Sequence, residues 1–229
     1  MSSLIELKHI TKVYQSGKGK VVALKDVTFS LKEHEYAVII GPSGSGKSTL
    51  IHIVGGLELP TEGSVLYKRT NIYRMKDYRI SKWRNRTVGF VFQFYHLIGE
   101  LTVWENVALP AFLFSRQRKT TFKKAEEMLQ YLGIEDKRNN FPSELSGGQK
   151  QKVAVARALI NEPEIIFCDE PTGNLDKESA QKVIDLLALL HRERKKTIIL
   201  VTHNREITQG AGRILHLKNG KLISTDSTD

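Results

Sequence analysis

A glycine-rich loop that ends in Lys-Ser-Thr constrains the fold of this chain more than any other feature. The loop reads GPSGSGKST; a short apolar run, Tyr36 to Ile40, precedes it, and a helix-like stretch, Lys47 to Val54, begins within it. A continuous apolar run of this length is typical of a buried parallel strand. A strand, a loop of this pattern and a helix in succession indicate a phosphate-binding loop. An ordinary glycine turn would not explain a lysine and a hydroxyl at the required offsets.

The residue types of the loop predict how it would hold a nucleotide. Glycines let backbone N–H groups turn toward phosphates, and the start of the following helix adds the positive end of its dipole. We expect Lys47 to reach the β- and γ-phosphates and the Ser48 hydroxyl to ligate Mg²⁺. A nucleotide and Mg²⁺ are therefore the predicted ligands of the loop, and the family resemblance described below implies that the nucleotide is ATP. The predicted nucleotide-binding residues of the loop are Gly41, Pro42, Ser43, Gly44, Ser45, Gly46, Lys47, Ser48 and Thr49.

The rest of the chain predicts an α/β fold around this loop. Alternating apolar and polar residues at Ile5 to Ile10 and Val21 to Leu31, with a turn at Gly17 to Gly19, predict antiparallel strands. The stretch from about Thr102 to Leu145 is predicted to be helical. Other predicted features are a capping box at Thr102 to Glu105, a helix stripe of Phe122, Ala125, Leu129 and Leu132, a strand at Ile165 to Cys168, a helix stripe of Val183, Leu186, Leu187 and Leu190, a strand at Thr197 to Val201, and a hairpin turn at Asn219-Gly220.

Composition limits the possible classes of protein. A chain of 229 residues can form one substantial core, and no apolar run approaches the ~18 residues of a membrane-spanning helix. The start of the chain lacks the layout of a signal peptide, so we expect a cytosolic protein. We expect the single cysteine, Cys168, to be a small buried residue of a strand. The net charge of +10 is densest at Lys68 to Arg86 and Arg116 to Lys124, but no nucleic-acid-binding signature accompanies it, which favours a basic face near phospholipid head groups.

A second motif, IIFCDE, places two carboxylates at the end of an apolar strand. Phosphoryl transfer needs a metal ligand and a water-orienting base at such a strand end. We expect Asp169 to contact Mg²⁺ and Glu170 to polarise the attacking water. Taken alone, an acidic pair after a strand is more often a helix N-cap, so this interpretation depends on the phosphate-binding loop.

A third motif, LSGGQ, is followed by a predicted helix from Lys150 to Asn161 and resembles the signature sequence of the ABC ATPase family. Ser146 and the N–H groups of Gly147 and Gly148 at a helix start would form an anion site. In this family the signature, here Ser146 to Gln149, reaches the γ-phosphate of ATP held by the other subunit. The other reading of the motif is a simple helix-capping turn.

The resemblance to the ABC family also implies roles for four further positions. Tyr14 resembles the aromatic residue that stacks on adenine, although an aromatic at a strand end is as often a core residue. Gln93 resembles the glutamine that contacts Mg²⁺ and the attacking water and whose loop touches the membrane partner. The GNLD segment ending at Asp176 resembles the loop that lines the dimer seam, and His203 resembles the switch histidine that binds the γ-phosphate. Catalysis would then rest on Lys47, Gln93, Glu170 and His203.

The resemblance covers essentially the whole chain and implies its architecture and partners. It predicts one nucleotide-binding domain over residues 1–229, with a RecA-like parallel-sheet core, an N-terminal antiparallel β subdomain and an α-helical signature subdomain inserted at about 94–160. Two copies would form a homodimer when ATP is bound. The dimer would attach to transmembrane permease subunits at the cytoplasmic face of the inner membrane, as a peripheral protein that binds no nucleic acid.

The wording of the motifs most resembles the branch that drives macrolide efflux, lipoprotein release and related extrusion, so the expected cargo is an antimicrobial compound, a peptide or a lipoprotein. Cys168 in place of the usual alanine, and Lys150 with Lys152 in place of arginines, depart from that branch. The cell-division ATPase of the same branch makes mechanotransmission an alternative. A soluble ABC ATPase acting on DNA or ribosomes and a non-hydrolysing nucleotide-binding module are weaker alternatives.

Overall fold

The computed structural model of the chain describes residues 3–17, 19–114, 117–208 and 210–227. The chain divides into two compact units, one formed by the chain up to Ser81 and from Leu190 onward, the other by Lys82–Leu189. Each unit contains strands and helices, which confirms the predicted α/β class. Lys18 of the predicted turn and Arg116 of the second basic stretch lie outside the described residues.

Ten strands and six α-helices, with short 3₁₀ turns between them, follow one another along the described residues. They are β1 (Ser3–Ser16), β2 (Gly19–Lys32), β3 (Tyr36–Ile40), α1 (Lys47–Val54), β4 (Glu62–Tyr67), β5 (Thr70–Asn71), α2 (Asp77–Thr87), β6 (Val88–Phe92), α3 (Val103–Phe112), α4 (Arg118–Tyr131), α5 (Gly147–Leu159), β7 (Ile165–Asp169), α6 (Lys177–Arg194), β8 (Thr197–Thr202), β9 (Arg213–Lys218) and β10 (Lys221–Ser227). None of the helices in these ranges has both the length and the hydropathy that a bilayer crossing requires.

The first unit contains an antiparallel sheet in the order β2-β1-β4-β5. The two predicted antiparallel strands are confirmed, and both are longer than their alternating segments. The pairing of β1 with β2 shifts register between Leu7 and Ile10. His9 of β1 and Asp26 of β2 both have a φ of 54°. Such bulges interrupt the period-two alternation from which strands are recognised in a sequence.

The first unit also carries four neighbouring strands in the order β10-β9-β3-β8. Strand β3 is buried at every position and pairs in parallel with both β8 and β9. The predicted hairpin turn is confirmed, because Asn219 and Gly220 join the antiparallel strands β9 and β10 with φ values of 50° and 74°. Positive φ at both central residues is the requirement of a type I′ turn.

The second unit combines a parallel strand pair with a helical region. Strands β6 and β7 pair in parallel from Val88 opposite Ile165 to Phe92 opposite Asp169. Helix α3 packs against α4 and α5. The predicted capping box is confirmed: Glu105 Oε2 accepts the backbone N–H and the hydroxyl of Thr102, at 2.8 and 2.6 Å. Of the predicted α4 stripe, Ala125, Leu129 and Leu132 are buried and Phe122 is half-buried.

A buried asparagine holds the loop that leads into α3. Asn106 has no exposed surface. Its Oδ1 accepts the backbone N–H of Ile98 at 2.8 Å, and its Nδ2 lies 2.9 to 3.1 Å from the carbonyl oxygens of Ile98, Leu101 and Thr102. One side chain therefore binds four backbone polar groups, of which the Ile98 carbonyl oxygen also accepts the Leu101 N–H at 3.2 Å and the Thr102 carbonyl oxygen the Asn106 N–H at 2.9 Å.

Candidate nucleotide-binding site

The glycine-rich loop connects the buried strand β3 to helix α1, as its sequence predicts. Gly41 donates its backbone N–H to the Thr202 carbonyl oxygen at 3.3 Å, and Gly220 donates to the Ser45 carbonyl oxygen at 3.0 Å. The Ser45 N–H donates to the Pro42 carbonyl oxygen at 3.2 Å, which closes a turn within the loop. Ser43 at the tip of this turn is exposed. The loop is thus bound by strand β8 at one end and by the turn between β9 and β10 near the other.

Two glycines of the loop have backbone conformations that other residues rarely adopt. Gly44 has a φ of 74° and Gly46 a φ of 101°. A Cβ added to Gly46 would lie 2.4 Å from the Ala23 carbonyl oxygen, whereas a Cβ on Gly44 would meet no atom within 4 Å. Gly46 is therefore required by both conformation and packing, and Gly44 by conformation alone. This geometry leaves the tip of the loop open, as a phosphate-binding cradle requires.

Helix α1 starts at Lys47, as predicted. Lys47 is 6% exposed, and its Nζ donates to the carbonyl oxygens of Gly41 and Pro42 at 2.8 and 3.1 Å. The ammonium group is thus held back over the loop, and Ser48 beside it is exposed. A cation, backbone N–H groups and a hydroxyl at a helix start fit a phosphate group with an accompanying hard cation.

Tyr14 and His203 belong to the same unit as the loop. The Tyr14 hydroxyl lies 3.4 Å from Thr49 Oγ1, which brings the half-buried aromatic ring to the loop's last residue. His203 follows directly after β8, on an exposed turn in which Asn204 donates its N–H to Thr202 Oγ1 at 3.0 Å. His203 thus follows the strand whose Thr202 carbonyl binds Gly41, and Tyr14 contacts the end of the loop.

The two predicted carboxylates lie at the end of β7, in the second unit. Glu170 has a φ of 46°, an uncommon conformation for a glutamate, and its carbonyl oxygen accepts the Gly173 N–H at 3.0 Å. Backbone strain of this kind concentrates at functional sites. The N-cap alternative is wrong, because helix α6 begins only at Lys177; Asp176 lies at that helix start and accepts the Ser179 N–H at 2.9 Å.

Two ionisable groups near the carboxylates have altered pKa values. The hydrogen bonds from Ser179 lower the pKa of Asp176, because they favour its carboxylate form. Burial raises the pKa of the fully buried Cys168 thiol. Cys168 is therefore an unreactive strand residue, as predicted.

The LSGGQ segment forms the start of α5. Ser146 Oγ accepts the Gln149 N–H at 3.3 Å, and Gln149 Oε1 accepts the Ser146 N–H at 2.9 Å, which is a capping box. The predicted helix start at Lys150 is wrong, because the cap places Gly147 and Gly148 in the first turn. The capping reading of the motif is thus confirmed. It is compatible with anion binding, since a capped helix still presents N–H groups at its start.

Gln93 lies just after β6 and contacts the GNLD segment. Its Nε2 donates to Asn174 Oδ1 at 3.3 Å, and Asn174 Nδ2 donates to the Gln93 carbonyl oxygen at 3.1 Å. A Cβ on Gly173 would lie 2.7 Å from Gln93 Nε2. The structure therefore brings together two segments that the sequence treats as separate motifs.

Two residues of α5 that sequence reasoning missed support these segments. Gln151 is fully buried, and its Nε2 donates to the Pro171 carbonyl oxygen, next to Glu170, at 2.6 Å. Arg157 donates to the carbonyl oxygens of Tyr95 and His96 in the chain after Gln93. Neither residue lies in a motif with its own chemistry, so no local signal identifies them.

Two further observations bear on ligands. Within the described ranges, no group of three or more His, Cys, Asp and Glu side chains could hold a metal ion.

The aromatic residues of the first basic stretch, Lys68 to Arg86, differ in their exposure: Trp83 is buried in α2, Tyr73 is half-buried and Tyr78 is 65% exposed. This stretch therefore offers one exposed aromatic ring, not the series on which nucleic-acid bases stack.

Comparison with known proteins identifies similar chains. The family described as "ABC transporter" matches residues 24–173. An uncharacterized ABC transporter ATP-binding protein of Thermotoga maritima is 45% identical over 97% of this chain and 94% of its own length. The lipoprotein-releasing system ATP-binding protein LolD of Geobacter metallireducens is 41% identical over 98% of this chain and 100% of its own. The dimeric post-hydrolysis structure of the ATP-binding cassette MJ0796, bound to ADP and Pi, has a TM-score of 0.90 at 40% identity and covers 97% of this chain and 98% of its own.

Proposed function

Because this chain belongs to the ABC transporter family, as an ATP-binding subunit that hydrolyses ATP, we propose that it powers a membrane extrusion system from the cytoplasmic face of the inner membrane. The main support for this proposal is the similarity to ATP-binding proteins of lipoprotein-releasing systems, which extends over almost the full length of both chains. The proposed cargo is a lipoprotein or another amphipathic molecule, such as a peptide or an antimicrobial compound.

The first unit would bind the nucleotide. The glycine-rich loop and Lys47 would hold the phosphates, because buried donors and a helix start favour anions. Tyr14 would stack on the adenine ring, and His203 would donate to the γ-phosphate. The residues proposed to contact Mg²⁺ are Ser48, Asp169 and Gln93, because their side chains carry the oxygen atoms that this ion prefers as ligands. When bound, Mg²⁺ would neutralise charge that develops on the phosphates.

The second unit would supply the group that acts on water. Glu170 would accept a proton from the attacking water, and Gln93 would orient that water through its side-chain amide. The reciprocal hydrogen bonds between Gln93 and Asn174 support this assignment because they hold the Gln93 side chain, and the positive φ of Glu170 is the kind of backbone strain found at functional sites. Catalysis would then depend on positioning and electrostatics rather than on a covalent intermediate.

The active assembly would be a homodimer attached to transmembrane permease subunits. At the start of α5, within the segment Ser146 to Gln149, the N–H groups of Gly147 and Gly148 would contact the γ-phosphate of ATP bound to the other copy, and Asp176 would line the seam. Support comes from the capping geometry of Ser146 and from the dimeric state of the MJ0796 cassette structures. The loop after Gln93 would transmit the motion to the permease, and Phe94 in that loop is 68% exposed.

The hydrolytic role of Glu170 is tested by Glu170→Gln, with Glu164→Gln as the matched control on the exposed chain before β7. Loss of the general base should lower kcat by about 100-fold or more while ATP binding persists. The control should retain full ATPase activity. Equal turnover by wild-type and Glu170→Gln protein would refute the assignment.

Membrane coupling is tested by capture of partners from detergent-solubilised native membranes, with tagged Glu170→Gln protein, ATP and Mg²⁺. We expect a polytopic membrane protein that is recovered only with ATP. Recovery of ribosomal or DNA-bound proteins alone would support the soluble alternative. The captured complex, reconstituted in vesicles, should show ATPase stimulation by a diacylated lipopeptide; no stimulation would favour mechanotransmission.

A further inference from the structure

In the first unit, the side chains of Lys12, Tyr14 and Glu58 form a connected cluster. The Tyr14 hydroxyl donates to Glu58 Oε2 at 2.7 Å. Glu58 Oε1 lies 3.0 Å from Lys12 Nζ, which also donates to the Leu59 carbonyl oxygen at 2.8 Å. The same ammonium nitrogen lies 5.0 Å from the centre of the Tyr14 ring. The ring is thus held both at its hydroxyl and at one face.

We propose that Glu58 and Lys12 are positioning residues that fix the Tyr14 ring for stacking on the adenine of ATP. The inference rests on the proposed contact of Tyr14 with the base and adds the side chains that set its geometry. A ring that is fixed before the ligand arrives loses less conformational freedom on binding. The hydrogen bond to Glu58 should therefore increase affinity for ATP, although Glu58 itself need not touch the nucleotide.

Glu58 is itself held in place. It follows helix α1, and its backbone N–H donates to the His52 carbonyl oxygen at 3.3 Å. The Tyr73 hydroxyl lies 2.5 Å from the carbonyl oxygens of both Ile53 and Glu58. A residue with a fixed backbone and a carboxylate bound at both oxygens has little freedom to move. Glu58 can therefore transmit the position of α1 to the Tyr14 ring.

The environment of the cluster strengthens its interactions. The side chains of Lys12 and Glu58 are 15% and 26% exposed, so solvent and salt screen this ion pair less than a surface pair. Partial burial and then the neighbouring Glu58 carboxylate raise the pKa of Tyr14, and its hydroxyl remains a donor at neutral pH. Because Lys12 lies over one face of the ring, the other face is the one available to a base.

The arrangement also sets the distance between the ring and the phosphate-binding loop. The Tyr14 hydroxyl lies 3.4 Å from Thr49 Oγ1, in the first turn of α1. The ring is thus oriented relative to the helix start that would bind the phosphates. A base and a phosphate chain in one molecule can occupy both places only if this spacing is kept.

The test compares binding of ATP and of tripolyphosphate, which lacks a base, to the full-length protein by displacement of a fluorescent ATP analogue. Glu58→Ala should weaken ATP binding about five-fold, the cost of ordering one side chain on binding, and leave tripolyphosphate binding unchanged. Glu58→Gln keeps an oxygen acceptor and should restore affinity to within about two-fold. In a Tyr14→Phe background, which lacks the hydroxyl, Glu58→Ala should have no further effect.

The control variant is Glu62→Ala, which changes an exposed glutamate at the start of β4 and should bind both ligands as tightly as the wild-type protein does.

If Tyr14→Ala weakens ATP binding and Glu58→Ala does not, the proposed positioning role of Glu58 is wrong, while the proposed contact of Tyr14 with the base is supported. If Tyr14→Ala leaves ATP binding unchanged, the base contact fails and the inference with it. Equal losses of ATP and tripolyphosphate binding in Glu58→Ala would mean a general distortion and would also overturn the proposal. Should Glu58→Ala fail to fold, Tyr14→Phe removes the same hydrogen bond, and wild-type affinity in that variant would be decisive against it.

Discussion

Substitution of Gly46 by alanine should destabilise the protein strongly, for two separable reasons. A non-glycine residue held at positive φ costs about 1–3 kcal/mol. The new Cβ would lie 2.4 Å from the Ala23 carbonyl oxygen and 2.9 Å from Leu24 Cδ2, and crowding of this kind costs about 1–3 kcal/mol more. We therefore expect a loss of about 4 kcal/mol. For a chain of 229 residues, that loss lowers Tm by about 8 °C.

A matched variant in the same loop separates strain from crowding. Gly44 also has a positive φ, but a Cβ there meets no atom within 4 Å, so Gly44→Ala should lose only about 1–2 kcal/mol, or about 3 °C. Gly99→Ala, with neither strain nor crowding, should change Tm by less than about 1 °C. Thermal unfolding followed by circular dichroism measures all three variants. A Tm for Gly46→Ala equal to that of Gly44→Ala would show that the close approach to Ala23 does not constrain the loop.

Two further predictions concern the entry to α3. Asn106→Leu should destabilise the protein by about 3 kcal/mol in urea unfolding, because it puts an apolar side chain where Asn106 binds the Ile98 N–H and the Leu101 carbonyl oxygen; a change under 1 kcal/mol would contradict the bonding described. The hydrogen bonds from Thr102 lower the pKa of Glu105, so their stabilisation is present above the unfolded pKa of about 4.3 and is lost as the pH falls through the lowered folded value. Urea titrations from pH 7 to pH 3 should therefore show a smaller loss of stability in Glu105→Gln than in wild type, and parallel curves would count against the capping role.

The elements that could be predicted from sequence are those in which one local rule decides the structure. The apolar run Tyr36 to Ile40, the helix from Lys47 to Val54 and the Asn219-Gly220 turn are all found where the pattern places them. Each of these elements is determined by residues that are adjacent in the chain. The strand is recognised by its continuous apolar run, the helix by the glycine-rich loop that ends in lysine, and the turn by two adjacent residues that tolerate positive φ. The candidate phosphate-binding loop is predictable for the same reason.

The elements that sequence reasoning missed depend on partners far along the chain. Helix α2 buries only Trp83 and Thr87. Its apolar face is therefore too narrow to give a recognisable helical pattern in a segment rich in basic residues. Register shifts between Ile10 and Val13 break the alternation of β1, so the residues after Ile10 were not predicted to belong to that strand. Glu58 reaches Tyr14 across 44 positions, and a glutamate after a helix has no local feature that predicts such a contact.

Helix α5 connects the predicted chemical positions of the second unit. Its first turn carries the capped glycines that would contact a second copy's ATP, and its next turn carries Gln151, whose Nε2 holds the carbonyl beside Glu170. Two turns further, Arg157 is half-buried and donates to carbonyl oxygens in the chain that follows Gln93. Because a helix of 13 residues moves as one body, a shift at its N-terminus is carried to both attachments. Helix α5 would therefore move when its first turn contacts the ATP of a second copy. That movement would be transmitted both to the proposed base, Glu170, and to the segment after Gln93 that is proposed to touch the permease.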